Sequence, residues 1–178
     1  MRRIIVLLLT VLAVLALASC ASTGKSPDVS GKWWDNPPAD TADIHYEIGM
    51  AKGSTIQTSR EWAKANANQA LAQYVSNTVD AIVTTYLNDA GEVSQTSQNM
   101  QAMQAFESLS KQHAKATLTG VQYQFQTMDD GTVFVLASLP IGPLAEELKA
   151  NVTEAFVKND ASEEANNMMN AAIEKYFN

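Results

Sequence analysis

The chain has 178 residues with 12 Lys+Arg against 19 Asp+Glu, a formal charge of −7, and a single cysteine. This length suits one domain, and an acidic balance with no Lys/Arg cluster beyond Arg2-Arg3 argues against nucleic acid and against a polybasic grip on anionic lipid. One cysteine excludes dithiol redox chemistry and cysteine-based metal clusters.

Met1-Arg2-Arg3 precedes an apolar run from Ile4 to Ala18 that is broken only by Thr10. A charged start, an apolar stretch too short to span a bilayer comfortably and small residues before a cut are the parts of a secretory signal. Leu17-Ala18-Ser19-Cys20 at its end resembles the lipobox of bacterial lipoproteins, in which the cysteine is acylated and becomes the new N-terminus. Residues 1–19 are therefore expected to be a signal peptide and Cys20 a lipidation site. Loss of Arg2 and Arg3 with the leader moves the formal charge from −7 to −9. Two or three acyl chains such as palmitate, at about 0.8 kcal/mol per buried methylene, anchor stably where one chain is marginal. Ala21 and Ser22 follow, with no Asp at the second position. By resemblance to Gram-negative sorting, this implies the outer membrane, with the domain facing the periplasm or the cell surface.

Residues 20–43 form a Ser-, Pro- and Asp-rich stretch that reads as a lipidated N-terminus and flexible tether, interrupted by Trp33-Trp34. The Trp pair is either an interfacial foot or a flap that packs on the domain, and the distance from Cys20 favours the flap. A single domain is expected over 44–178. Ile44, Tyr46, Ile48 and Met50 alternate with His45, Glu47 and Gly49, which predicts a strand with one buried face. A long helix follows, capped by Thr58 or Ser59, with Ala63, Ala67, Leu71, Val75, Ile82 and Tyr86 recurring at three- and four-residue steps. Its alanines allow close approach to a sheet. Asn88 to Gly91 stops it, and Met100, Met103, Phe106 and Leu109 mark a second helix to about Lys115.

Val121, Tyr123 and Phe125 alternate with Gln122, Gln124 and Gln126, and the Asp130-Gly131 turn leads into the apolar run Thr132 to Leu139, which predicts a hairpin. Pro143 suits the first position of a third helix, and Asp160 with Glu163 makes a variant capping box for a fourth, so that 140–178 holds the C-terminal helices. The expected fold is α+β: a small, three-stranded, mainly antiparallel sheet packed against long amphipathic helices in the order β-α-α-β-β-α-α. Val133, Val135, Ala137 and Leu139 face the helices with Tyr123 and Phe125. Phe134 and Leu136 then lie on the opposite face beside Gln122, Gln124 and His45, where the C-terminal helix or a second subunit must cover them.

Chemical motifs are sparse. Gly24-Lys25-Ser26 lacks the upstream glycine of a phosphate loop, and His45 and His113 stand 68 residues apart without metal-ligand spacing, so both are expected to be solvated and neither a metal nor a cofactor is expected. The acidic pairs Asp129-Asp130, Glu146-Glu147 and Glu163-Glu164 fit turn-making and helix-dipole roles better than a glycosidase pair.

The lipobox, the tether with Trp33-Trp34, Tyr46-Glu47-Ile48-Gly49-Met50-Ala51, the Ala-rich helix from Ser59, and Leu118-Thr119-Gly120-Val121 before a hairpin with Asp130-Gly131 occur together. The combination resembles the Lpp-twenty lipoprotein family, which includes flagellar outer-membrane lipoproteins of the FlgP kind, over roughly residues 40–140. The resemblance implies a non-enzymatic structural or assembly protein of the cell envelope, with a flagellar association as in the FlgP kind, that acts by self-association or by docking an envelope protein. Of functional residues it carries over only the acylated Cys20. The interaction surface expected from the residues themselves is Phe134, Leu136, Gln122 and Gln124 with Trp33 and Trp34. The alternatives are a periplasmic docking activator of a cell-wall enzyme and a carrier of a small apolar ligand.

Overall fold

The computed structural model describes residues 31–116 and 120–177. The expected signal peptide, Cys20 and the first part of the tether lie outside the described residues. The element order is β1 (Ile44–Ala51), α1 (Ile56–Ala90), a 3-10 turn (Gly91–Gln95), α2 (Ser97–Ala116), β2 (Gln122–Thr127), β3 (Val133–Pro140), α3 (Ile141–Lys158) and α4 (Glu163–Phe177). The fold is α+β with the β-α-α-β-β-α-α order expected from the pattern. Its antiparallel sheet has the order β1-β3-β2. The hairpin joins β2 to β3 through a turn in which the Gly131 N–H donates to the Met128 carbonyl at 3.0 Å. Gly131 has φ +84°, a conformation that glycine adopts without penalty. β1 pairs with the other side of β3, from Ile44 opposite Pro140 to Ala51 opposite Val133.

Three helix ends differ from the sequence expectation, each for a local reason. Thr55, not Thr58 or Ser59, caps α1, its hydroxyl accepting from the Thr58 N–H at 3.1 Å. Ser59 is buried instead, and its hydroxyl lies 2.9 Å from the Gly53 nitrogen, 3.0 Å from the Thr55 carbonyl and 3.1 Å from the Gly131 carbonyl. It ties the start of α1 to the hairpin turn. At α3 the chain passes from strand to helix with Pro140 as the N-cap, so Pro143 is the third helical residue rather than the first. A proline is tolerated there because first-turn N–H groups have no intrahelical acceptor. Asp160 does not open α4; it closes α3, with φ 51° and bonds from Asp160 N–H to the Val157 carbonyl and from Ala161 N–H to the Phe156 carbonyl. This is a Schellman ending with an aspartate where glycine is usual. Ser162 caps α4, its hydroxyl accepting from the Ala165 N–H at 3.2 Å.

α1, about 50 Å long at 1.5 Å per residue, is the helix that lies along the sheet, and α2, α3 and α4 pack around it. The core joins Ala63, Ala67, Leu71, Val75, Ile82 and Tyr86 of α1 to Val133, Val135, Ala137 and Leu139 of β3, with Phe106, Leu148, Phe156, Met169 and Ile173 from the other helices. Tyr123 and Phe125 pack against it as expected.

β1 departs from its period-2 reading. The antiparallel register puts Ile44, Tyr46, Ile48 and Met50 opposite Pro140, Ser138, Leu136 and Phe134, on the face away from the helices. The helix-facing residues are His45, Glu47, Gly49 and Ala51, so His45 belongs to the inner face and not beside Gln122 and Gln124. The cause is Gly49. A Cβ there would collide with the Ala63 carbonyl oxygen and lie 2.5 Å from the Ala67 nitrogen. Backbone of α1 rests directly on backbone of β1, an approach that only glycine on the strand and alanine on the helix permit. The close packing expected from the alanines of α1 is thus present, and it selects the face of β1 that has no bulk.

Candidate interaction surface

The register brings together four of the expected surface residues on the outer sheet face. Cross-strand rows read Met50–Phe134–Gln126, Ile48–Leu136–Gln124 and Tyr46–Ser138–Gln122. The β1 and β3 side of the face is apolar and the β2 side is a ladder of glutamines. Leu136, in the centre, is only 1% exposed, Phe134 and Ile48 are half-buried, and Met50 is 55% exposed at the end of the strip. Gln124 is exposed and Gln122 half-buried.

α4 does not cover this face. Ala165, Met169, Ala172 and Ile173 are in the helix-side core, and Met168 and Phe177 pack against it, because α4 docks on α1 and α3. Of the two covers weighed from sequence, the C-terminal helix is therefore ruled out. Trp33 is 3% exposed and meets half-buried Trp34 edge to face with ring centroids 5.7 Å apart. This placement agrees with a flap rather than a membrane foot for Trp33.

The end of that stretch is bonded to the domain. Asp40 accepts from the Tyr46 N–H at 2.9 Å and faces His45 Nδ1 at 2.6 Å, while the Asp43 carbonyl accepts from the Ile141 N–H at 2.9 Å. His45 Nε2 lies 3.1 Å from Glu47 Oε1, and the ring stacks on Tyr74 with centroids 3.6 Å apart and planes 10° apart. The Tyr74 hydroxyl is pushed above its ordinary pKa by burial, with Tyr176 adding to the shift. The unit acts as a latch between the pre-strand segment and α1, beside a cavity of about 280 Å³ that Ile141, Tyr176 and Phe177 help to line. Its two carboxylates sit on opposite ring nitrogens and do not converge on one point. No group of three or more His, Cys, Asp or Glu side chains suited to a metal ion occurs among the described residues.

His45 was expected to be solvated and is 8% exposed. The signal that could have found it is Gly49: a strand glycine marks a close approach, and His45 shares its face by the two-residue period. The acidic pairs have structural partners. Asp130 accepts from the Thr132 N–H and hydroxyl and pairs with Lys52 at 3.0 Å, which lowers its carboxyl to about 2. Glu146 meets Lys149 at 3.5 Å, Glu147 lies 3.8 Å from His113, and Glu163 and Glu164 occupy the first turn of α4.

Compared with family models, with curated proteins and with solved structures, the chain matches none. No described helix is long and apolar enough to cross a membrane.

Proposed function

We propose that the chain is a bacterial outer-membrane lipoprotein, anchored through Cys20, that serves as a non-enzymatic structural or assembly protein of the cell envelope. The observation that carries the association is the outer sheet face, where exposed Met50 adjoins half-buried Ile48 and Phe134 and no described helix lies over them. A second copy is the partner this reading names. Anchoring rests on Leu17-Ala18-Ser19-Cys20, and the flagellar association rests on the family resemblance alone.

Two measurements test the reading. Mass spectrometry of the mature N-terminus should find lipid-modified Cys20; a chain beginning at Met1 or at an unmodified Ala21 contradicts anchoring. With Cys20 blocked by lipid, Met50→Cys supplies the one free thiol, and mild oxidation of cells should yield a disulfide-linked dimer. Trp62→Cys, on the exposed side of α1, should yield none. Equal cross-linking at both positions, or none at Met50→Cys, refutes association through this face.

A further inference from the structure

A second surface, on the other side of the domain, has a different character. β3 pairs β2 on one side only, so β2 is a sheet edge whose other side has no strand among the described residues. Beside it lies a groove of about 730 Å³ lined mainly by α1, with Ala114 and Lys115 of α2 and Tyr123 of β2. Its polar lining includes Lys64, Asn68, Gln69 and Gln73 of α1, Lys115 of α2 and Tyr123 of β2, and no carboxylate. Lys52, Lys111, Lys149 and Lys175 are all paired with carboxylates, whereas neither groove lysine has an acidic partner among the described residues. In a chain of formal charge −7 this is a local reversal of sign. Arg60 continues it toward the hairpin turn, its guanidinium 4.6 Å from the Phe125 ring centroid, while the Lys64 ammonium is 4.2 Å from that of Tyr123.

We propose that this groove binds an extended acidic peptide segment of another protein, which adds to β2 as a fourth strand. An open edge offers main-chain N–H and C=O groups at strand spacing, which an extended peptide matches and a sugar or a base does not. Stacking ligands are further disfavoured because Arg60 and Lys64 already lie over the rings of Phe125 and Tyr123. A second copy of β2 is a poor occupant. Its sequence, Gln-Tyr-Gln-Phe-Gln-Thr, has no carboxylate, and pairing two such edges would bring the groove lysines of both copies together. An acidic strand instead sets alternate carboxylates toward Lys64 and Lys115, with its other side chains extending the ladder of Gln122, Gln124 and Gln126. β2 has six residues, so the segment recognised is about six residues, or roughly 20 Å. The proposal does not depend on lipid anchoring or on the outer sheet face.

The test is fluorescence anisotropy of a labelled Val-Glu-Val-Glu-Val-Glu peptide with the purified full-length chain. Saturable binding is expected that weakens as salt is raised and falls by roughly tenfold for the Gln-for-Glu peptide. Methylating alternate amides of the peptide, which removes main-chain donors but leaves the charge, should abolish it. Lys64→Gln with Lys115→Gln should weaken binding by about tenfold with an unchanged circular-dichroism spectrum, and Lys64→Glu with Lys115→Glu by more. Absence of binding overturns the proposal. So does a methylated peptide that binds as well as its parent, which would mean anion capture without strand addition. Equally effective competition by an oligogalacturonate would assign the groove to acidic glycans instead.

Discussion

Gly49→Ala puts one methyl group where α1 rests on β1. The new carbon would collide with the Ala63 carbonyl oxygen and sit 2.5 Å from the Ala67 nitrogen and 3.0 Å from the Ala67 Cβ. Two of these three obstacles are backbone of a 35-residue helix, so no rotamer change relieves them. α1 must lift off β1, which loosens the packing of Ala63, Ala67 and Leu71 against the strand. Overpacking a well-packed site costs about 1–3 kcal/mol and occasionally more, and rigid obstacles place this case at the upper end. Replacing glycine inside a strand returns about 0.5–1 kcal/mol of backbone entropy. The expected net loss is about 2–3 kcal/mol, which at roughly 2–4 °C per kcal/mol for a domain of this size lowers Tm by about 4–12 °C. Urea unfolding followed by far-ultraviolet circular dichroism measures it directly. The control is Gly142→Ala in the first turn of α3, where an added Cβ meets nothing within 4 Å and should raise stability by about 0.5–1 kcal/mol. If Gly49→Ala proved as stable as wild type, α1 would not rest on β1 as described, and the inward placement of His45 would fall with it.

Asp160→Gly should stabilise by about 0.5–1 kcal/mol in the same urea titration, because Asp160 holds φ 51° at the end of α3 where glycine carries no steric penalty; a loss would mean the aspartate side chain contributes there. The Tyr86 hydroxyl is buried without a hydrogen-bond partner among the described residues, so Tyr86→Phe should be neutral or stabilising by up to about 1–2 kcal/mol, and clear destabilisation would reveal a partner such as a bound water. Asp130 is held at a pKa of about 2 by Thr132 and Lys52, below its ordinary 3.8, so its contribution is fully present above the ordinary value and is lost as pH falls through about 2. Asp130→Asn should accordingly unfold at lower urea than wild type at pH 6, with the gap closing between pH 4 and pH 2; a gap independent of pH would show that charge at Asp130 is not what matters.

Element identity and order were legible because helix and strand periods in this chain are long and cleanly bounded. Leu71, Val75 and Ile82 recur at helical steps over many turns, and the glutamines of β2 alternate with Tyr123 and Phe125. The face of β1 was not legible from hydrophobicity because size decides it. Ile44, Tyr46, Ile48 and Met50 are the bulkier set, yet they need room that the Ala63–Gly49 approach does not leave. Reading Gly49 together with Ala63 and Ala67 would have turned the strand over and buried His45. Caps were shifted by a few residues because Thr55, Thr58 and Ser59 are all competent, and tertiary bonding to Gly131 decides that Ser59 is used elsewhere. Phe134, Leu136, Gln122 and Gln124 were placed on one face correctly, since that follows from the two-residue period of a hairpin alone. The groove beside β2 was not legible. It depends on how α1, α2 and β2 meet, and no local pattern joins Lys64 to Lys115.

The claim that this protein works by association through its outer sheet face is tested most directly by light scattering on the full-length Cys20→Ser chain, comparing it with the same chain carrying Met50→Glu. Met50 is exposed, so the added charge should leave the fold and its circular-dichroism spectrum intact. The account predicts a dimer or larger species for the parent and a monomer for Met50→Glu at the same concentration. A parent that stays monomeric at high concentration, or a Met50→Glu variant that keeps the parent's size, would contradict it.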